Sequence, residues 1–244
     1  MKMRMPAYPL ITMDPYFSVW SFSDNLNDKH TVQGTGFETQ FIGTATVDGT
    51  EYIFMGEKEN VQKARQRWVK CTALSTEYAF VCGGIEIAVK FTSPVLVDDL
   101  KLASRPVSYI SVATDSETPV NIKIAVSEQM CLTNAGQHPV EIKMVDSLNP
   151  TISMGSRVQN VLGSSGDFLH IDYGYLYLTV KDGFVNSYTN NDMEFIVAGK
   201  SITSDNKALF TVAYDDIYSI EYFGEKLKSL WNNDGTDIVT AINN

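Results

Sequence analysis

The chain has 244 residues, of which 44% are hydrophobic and 20% charged, and its net charge is −10. That apolar content offsets chain entropy and excludes wholesale disorder, while no apolar run reaches the ~18 residues of a membrane span. The acidic balance repels phosphate backbones, so nucleic acid is excluded as a partner, and the length suits one large domain or two small ones.

The N-terminus MKMRMPAYPL has a basic start with no apolar core after it, so no signal peptide is read. The chain as given is expected in the cytoplasm, or secreted or periplasmic if a leader has been removed. Asp48-Gly49 separates FIGTATV from TEYIFMG and marks a two-residue hairpin turn. A short turn or helix is expected over 57–67 and a soft boundary over 57–70, where charge density rises; residues 1–60 form a candidate subregion ahead of a sandwich over 61–232. Gly83-Gly84 divides EYAFVC from IEIAVKF as a second hairpin. Ile85, Ile87, Val89 and Phe91 alternate with polar or small residues, as do Val120, Ile122, Ile124 and Val126, and then Val140, Ile142 and Met144. Period-two alternation buries one face of an antiparallel strand. Later strands read as YGYLYLTV, FVNSY, MEFIVAGK and ALFTVAY. The expectation is an all-β fold, a large antiparallel β-sandwich of ten or more strands. The stretch 217–231 is expected to be partly helical. Residues 233–244 read as the start of a linking helix, capped by Asp234 or Thr236, to a domain further downstream.

Candidate chemistry is sparse. Three cysteines with no CxxC spacing (Cys71, Cys82, Cys131) read as buried or half-buried thiols, with a Cys71–Cys82 pairing across a hairpin as the alternative. Three histidines share no ligand spacing, so neither a metal nor another cofactor is expected. Paired carboxylates, Asp98-Asp99 and Asp215-Asp216, can divide acid and base roles, but neighbours on a strand face opposite ways, so each pair supplies one group at most. A self-contained hydrolase would need two of these four in one cleft. Arg105 is placed either to clamp a carboxylate or to pair with Asp98 or Asp99. Tyr173, Tyr175 and Tyr177 sit at i, i+2, i+4, a face that can stack a sugar or pack against another layer.

Several stretches resemble, in order, the glutaminase A family: AYPLITMDPYFSVWS (7–21), VDGTEYIFMG (47–56), FTSPVLVDDL (91–100), SRPVSYI (104–110), IDYGYLYL (171–178) and YDDIYSIEYFG (214–224). The resemblance implies a bacterial multidomain hydrolase acting on L-glutamine, with a β-rich region ahead of a helical toroid of the six-hairpin glycosidase type. This chain then corresponds to the β-rich region, itself without catalytic residues, with the downstream helical domain as its partner. The alternative is a carbohydrate-binding or accessory domain of a polysaccharide-active hydrolase or lyase, with a glycan or small molecule as ligand. Family members often carry a histidine where Met13 stands and a His-Trp-Thr-Gly motif where Gln33-Gly34-Thr35-Gly36 stands, which puts the family substrate in doubt for this chain. The candidate interdomain or cleft-rim residues are Asp14, Tyr16, Trp20, Asp98, Asp99, Arg105, Tyr109, Tyr173, Tyr175, Asp215 and Asp216. They predict an exposed apolar patch along 14–21 and 98–109.

Overall fold

A computed structural model describes residues 5–13, 16–134, 136–146, 148–166 and 169–244. Its strands run in chain order as β1 (Tyr8–Thr12), β2 (Ser18–Ser21), β3 (Phe41–Val47), β4 (Thr50–Met55), β5 (Gln62–Lys63), β6 (Arg65–Cys71), β7 (Ser75–Cys82), β8 (Ile85–Thr92) and β9 (Val107–Thr114). There follow β10 (Val120–Ser127), β11 (Val140–Asp146), β12 (Thr151–Ser156), β13 (Tyr175–Val180), β14 (Phe184–Asn190), β15 (Met193–Ile202), β16 (Ala208–Asp215), β17 (Ile220–Tyr222) and β18 (Glu225–Leu227). Two short helices are present, α1 (Leu100–Ala103) and α2 (Ile238–Asn243).

The fold is an all-β sandwich. One sheet has six strands in the order β14-β15-β10-β3-β4-β5; the other has eight, β11-β12-β13-β16-β9-β8-β7-β6. Neighbours are antiparallel except β4 and β5, which pair parallel. The alternating residues point inward as their spacing predicts. Ile122 and Ile124 of β10 meet Ile87, Val89, Val112, Leu178 and Phe210 from the larger sheet in one buried cluster. Residues 41–55 belong to the same core, through Phe41, Ala45 and Phe54. Gly43 is required there, because a Cβ would lie 2.4 Å from the Phe54 ring. Both hairpin turns form with positive φ, at Asp48-Gly49 (47° and 80°) and Gly83-Gly84 (58° and 92°).

Several expectations are corrected. Residues 57–67 hold a turn at Glu59-Asn60 but no helix; β5 and the start of β6 occupy 62–63 and 65–67, because their backbone pairs with β4 and β7. Residues 217–231 are not a helix but the β17–β18 hairpin, turned at Phe223-Gly224 with φ of 49° and 83°, followed by a 3-10 turn over Leu230–Asn232. Helix α2 is capped one step later than read, by Asp237, whose carboxylate accepts from the Thr240 N–H at 2.8 Å. Met144 is 59% exposed despite its inward register opposite Ile152, because β11 is an edge strand. Cys71 and Cys82 do not pair: Cys71 ends β6 opposite Thr76 at the start of β7, whereas Cys82 ends β7 opposite Ile85, and all three cysteines are free.

The outer face of the larger sheet carries a second, smaller apolar cluster. Val107 and Ala213 lie opposite each other there, and Trp231, Ile238, Ala241 and Ile242 cover them, with Tyr109 and Tyr177 packed alongside. Outward apolar side chains on a sheet need cover, and a two-turn helix needs a surface. Each supplies the other's requirement. Among the described residues no helix is long and apolar enough to cross a membrane.

Candidate functional site

The N-terminal hairpin closes one end of the sandwich. Thr76 donates from its hydroxyl to the Pro9 carbonyl at 2.6 Å, and the Thr12 N–H donates to Ser93 Oγ at 3.2 Å. Phe17 lies against Tyr214 with ring centroids 4.5 Å apart, and the Ile171 N–H donates to the Tyr16 carbonyl at 3.1 Å. Where this plug meets the β8–β9 connection, the β16–β17 loop and the 3-10 turn, a cleft of about 350 Å³ opens. That size lies in the range of small-molecule sites.

Of the predicted residues, the cleft brings together Tyr16, Arg105, Tyr173 and Asp216. Arg105 also donates from Nη1 to the Ala241 carbonyl at 3.2 Å, which ties the cleft to α2. The expected ion pair of Arg105 with Asp98 or Asp99 is not among the ion pairs of the described residues. Asp99 instead caps α1 by accepting from the Leu102 N–H at 2.9 Å. Asp98 sits in the exposed β8–β9 connection, away from the cleft lining. Asp215 faces away from the cleft in register with Tyr175, and its Oδ1 accepts from the Ile217 N–H at 3.0 Å. One residue of that pair therefore reaches the cleft, as alternation requires, and of the four paired aspartates Asp216 alone lines it. The two-carboxylate hydrolase loses its geometric basis on these residues. Trp20 lies in β2, opposite Pro9 and bridged to Val32, outside the cleft. Asp14 lies outside the described residues.

The tyrosine stripe is split. Gly174, at φ 81°, interrupts the alternation between Tyr173 and Tyr175. Tyr173 packs on the main core and enters the cleft, whereas Tyr177 belongs to the outer cluster beneath the C-terminal segment. Tyr175 lies over Gly155. The three rings do not form one sugar-stacking face. Tyr109, also on the outer face, packs against the same cluster.

Sequence reasoning missed Ser93, Ser108, Tyr214, Ser219, Ser229 and Trp231, all of which line the cleft. Tyr214 was legible as an inward position of ALFTVAY; its hydroxyl donates to the Tyr173 carbonyl at 2.5 Å, and burial holds its pKa well above the usual phenol. The hydroxyls carried no signal, since serines converging from four segments have no spacing. Ser93 Oγ meets Ser108 Oγ at 3.1 Å, and Ser219 Oγ meets Ser229 Oγ at 2.5 Å. His170 is buried elsewhere, stacked on Phe37 at 3.9 Å with Nε2 2.6 Å from the Leu132 carbonyl, and burial lowers its pKa.

Two family profiles match, both described as domains of unknown function: DUF4964 over residues 1–64 and DUF5127 over residues 74–201, more than half of the chain. The chain belongs to the DUF5127 family. A curated relative, glutaminase A from Aspergillus oryzae, is 31% identical over 121 residues, 46% of this DUF5127 chain and 18% of the relative. The chain thus spans less than a fifth of that relative, and the resemblance to the glutaminase A family holds over the matched part. Among solved structures, a Family GH92 inverting mannosidase from Bacteroides thetaiotaomicron matches 86% of the chain and 27% of its own, at TM-score 0.47 and 10% identity. A protein assigned as a kojibiose phosphorylase, from the human microbiome, matches 85% of the chain and 30% of its own, at TM-score 0.42 and 10% identity. Both are partial likenesses of backbone path.

Proposed function

We propose that this chain is a non-catalytic β-sandwich domain of a glutaminase-A-like hydrolase, one converting L-glutamine to L-glutamate and ammonia, and that it braces a helical toroid downstream. The similarity to glutaminase A supports the parentage. Exposed apolar side chains on two segments that adjoin the cleft support the bracing role. On one side Val97 is 80% exposed and Leu100 68%, with Val95 and Leu96 beside them. On the other, the β17–β18 hairpin presents Ile220, Tyr222 and Phe223, the last 91% exposed. Tyr16 is half-exposed between the N-terminal plug and the cleft. Several large apolar side chains left exposed on the β8–β9 connection and the β17–β18 hairpin fit an interaction surface. Residue Phe223 adds to this, since a bulky residue at φ 49° is strained and its ring gains no burial within the chain.

The test is a binding measurement between the 244-residue chain and the separately produced remainder of the full-length protein. Calorimetry is expected to show association, weakened at least about tenfold by Val97→Asp or Phe223→Asp, since a charge in an apolar contact is costly to desolvate. No association, or association indifferent to both changes, overturns the bracing role. Glutamine hydrolysis by the 244-residue chain alone at the rate of the full-length protein overturns the non-catalytic one.

A further inference from the structure

The chemistry of the cleft lining points past docking. We propose that the cleft binds one neutral polyhydroxylated ring, a hexose or a single glycosyl unit, with Asp216 accepting from its hydroxyls and Arg105 donating to them. The proposal stands independently of the bracing role. It gives the accessory, carbohydrate-binding reading a different location from the outer-face tyrosines.

Four observations converge. First, the lining is charge-balanced: Arg105 is its one cation and Asp216 its one carboxylate among the described residues. An ionised carboxylate only accepts hydrogen bonds and a guanidinium only donates them, whereas every sugar hydroxyl does both. Vicinal hydroxyls therefore can engage the remaining capacity of both groups, each of which already has a partner within the chain, without adding a net charge. Second, hydroxyl side chains enter from several segments, among them Thr12, Ser93, Ser108, Ser219 and Ser229. They are held in place by one another, through the Ser93–Ser108 and Ser219–Ser229 contacts. Each oxygen has two lone pairs and one proton, so these contacts fix position while leaving capacity for a ligand. Third, Tyr16 and Tyr173 line the same opening, and aromatic rings are surfaces on which the CH face of a pyranose packs.

Fourth, the backbone beside Asp216 is strained. Ile217 adopts φ 63°, a true outlier for a β-branched residue, and the Tyr218 N–H donates to the Asp216 carbonyl at 2.6 Å across it. This is a γ-turn with positive φ, the rarer and costlier hand. Such strain persists where the surrounding structure over-determines it, and it clusters at ligand sites. Arg105 is held in turn by the Ala241 carbonyl, which fixes its guanidinium without neutralising it.

The experiment is a ¹⁵N-NMR titration of the 244-residue chain with D-glucose, D-mannose, D-galactose and their methyl glycosides, each up to about 50 mM, an upper limit suited to millimolar sites. Parallel titrations use L-glutamine. At least one hexose is expected to give saturable shifts confined to amides near 93–95, 104–108 and 214–219. Asp216→Asn is expected to weaken that binding about tenfold or more, because the charge and one of the two acceptor oxygens are replaced by a neutral donor, while Asp98→Asn, outside the cleft, leaves it unchanged. If the Asp216 variant does not fold, Tyr16→Ala at the exposed rim is read in its place, with the same expected weakening. No saturable shift with any hexose overturns the proposal, as does saturation by L-glutamine alone. Shifts centred on Tyr175 and Tyr177, or wild-type affinity in the variants, overturn the site. None of these outcomes touches the bracing role, which is read by association with the remainder of the protein.

Discussion

Replacing Trp231 with alanine tests whether the two apolar clusters are separable units. The indole is 3% exposed and sits with Ile238, Ala241 and Ile242 on the outward side of Val107 and Ala213. An aromatic ring of this size buries about 150–250 Å². At about 25 cal/mol per Å², that is ~4–6 kcal/mol as an upper bound. Helix α2 has six residues and is marginal by itself, so it stays only while it is docked. Removing the ring takes away the largest part of that docking, leaving Ile238, Ile242, the Arg105 bond to Ala241 and the Asn149 bond to Asn243 at 2.8 Å. The segment is then expected to leave the sheet. Undocking caps the damage, because the inter-sheet core stays intact; the global loss cannot exceed the free energy with which the segment docked. By contrast, Phe91→Ala in the inter-sheet core, at 1% exposure, should cost about 3–5 kcal/mol in the main transition. Hydrogen-exchange mass spectrometry on peptides spanning 228–244, with urea unfolding of both variants, separates the cases. Trp231→Ala should abolish protection in 236–244 and shift the urea midpoint less than Phe91→Ala does. Retained protection in that segment, or a midpoint loss equal to that of Phe91→Ala, would refute the separation.

Four further outcomes are expected. Gly174→Ala should destabilise the chain by about 2–5 kcal/mol, combining positive-φ strain with overpacking, since its Cβ would lie 2.3 Å from the Asp215 carbonyl oxygen; thermal melts check it. Tyr78→Phe should be neutral or stabilising by up to about 2 kcal/mol, because the buried Tyr78 hydroxyl has no hydrogen-bond partner among the described residues; a melting temperature lowered by several degrees contradicts this. Lowering the pH should loosen the C-terminal segment. The Lys101 ammonium holds the Asp234 carboxyl below its usual range, and the Thr240 N–H does the same for Asp237. Depressed carboxylates contribute stability above their unfolded pKa, about 4, and lose it as the pH falls through the folded values, so exchange in 236–244 should rise below about pH 4, and less steeply in Asp237→Asn. A thiol reagent at pH 8 should modify half-exposed Cys71 rapidly and the other two only after unfolding, because burial pushes Cys82 and Cys131 up to about 12; three fast equivalents in the native chain would contradict it.

The sandwich was readable in the residues because a strand's period is short and local. The alternation of Ile85, Ile87, Val89 and Phe91 and the Asp48-Gly49 and Gly83-Gly84 turns needed no distant partner to be recognised. The resemblance to the glutaminase A family was likewise carried by contiguous motifs. Errors arose where tertiary contacts overrode local preference. Residues 62–63 and 65–67 became strands because β4 and β7 offered a ladder, and the Phe223-Gly224 turn used a residue that rarely takes positive φ. The cleft was half legible. Tyr16, Arg105, Tyr173 and Asp216 stood out by residue type, but nothing local distinguished Asp216 from Asp215 or Tyr173 from Tyr177. Alternation sends one aspartate of the pair toward the cleft, but which one follows from where β16 ends against its neighbours, and the positive φ at Gly174 breaks the tyrosine alternation. Local spacing determines which face a residue takes along a regular strand. Once the strand stops, the direction of a side chain depends on contacts between segments far apart in the chain, and only the folded structure contains them.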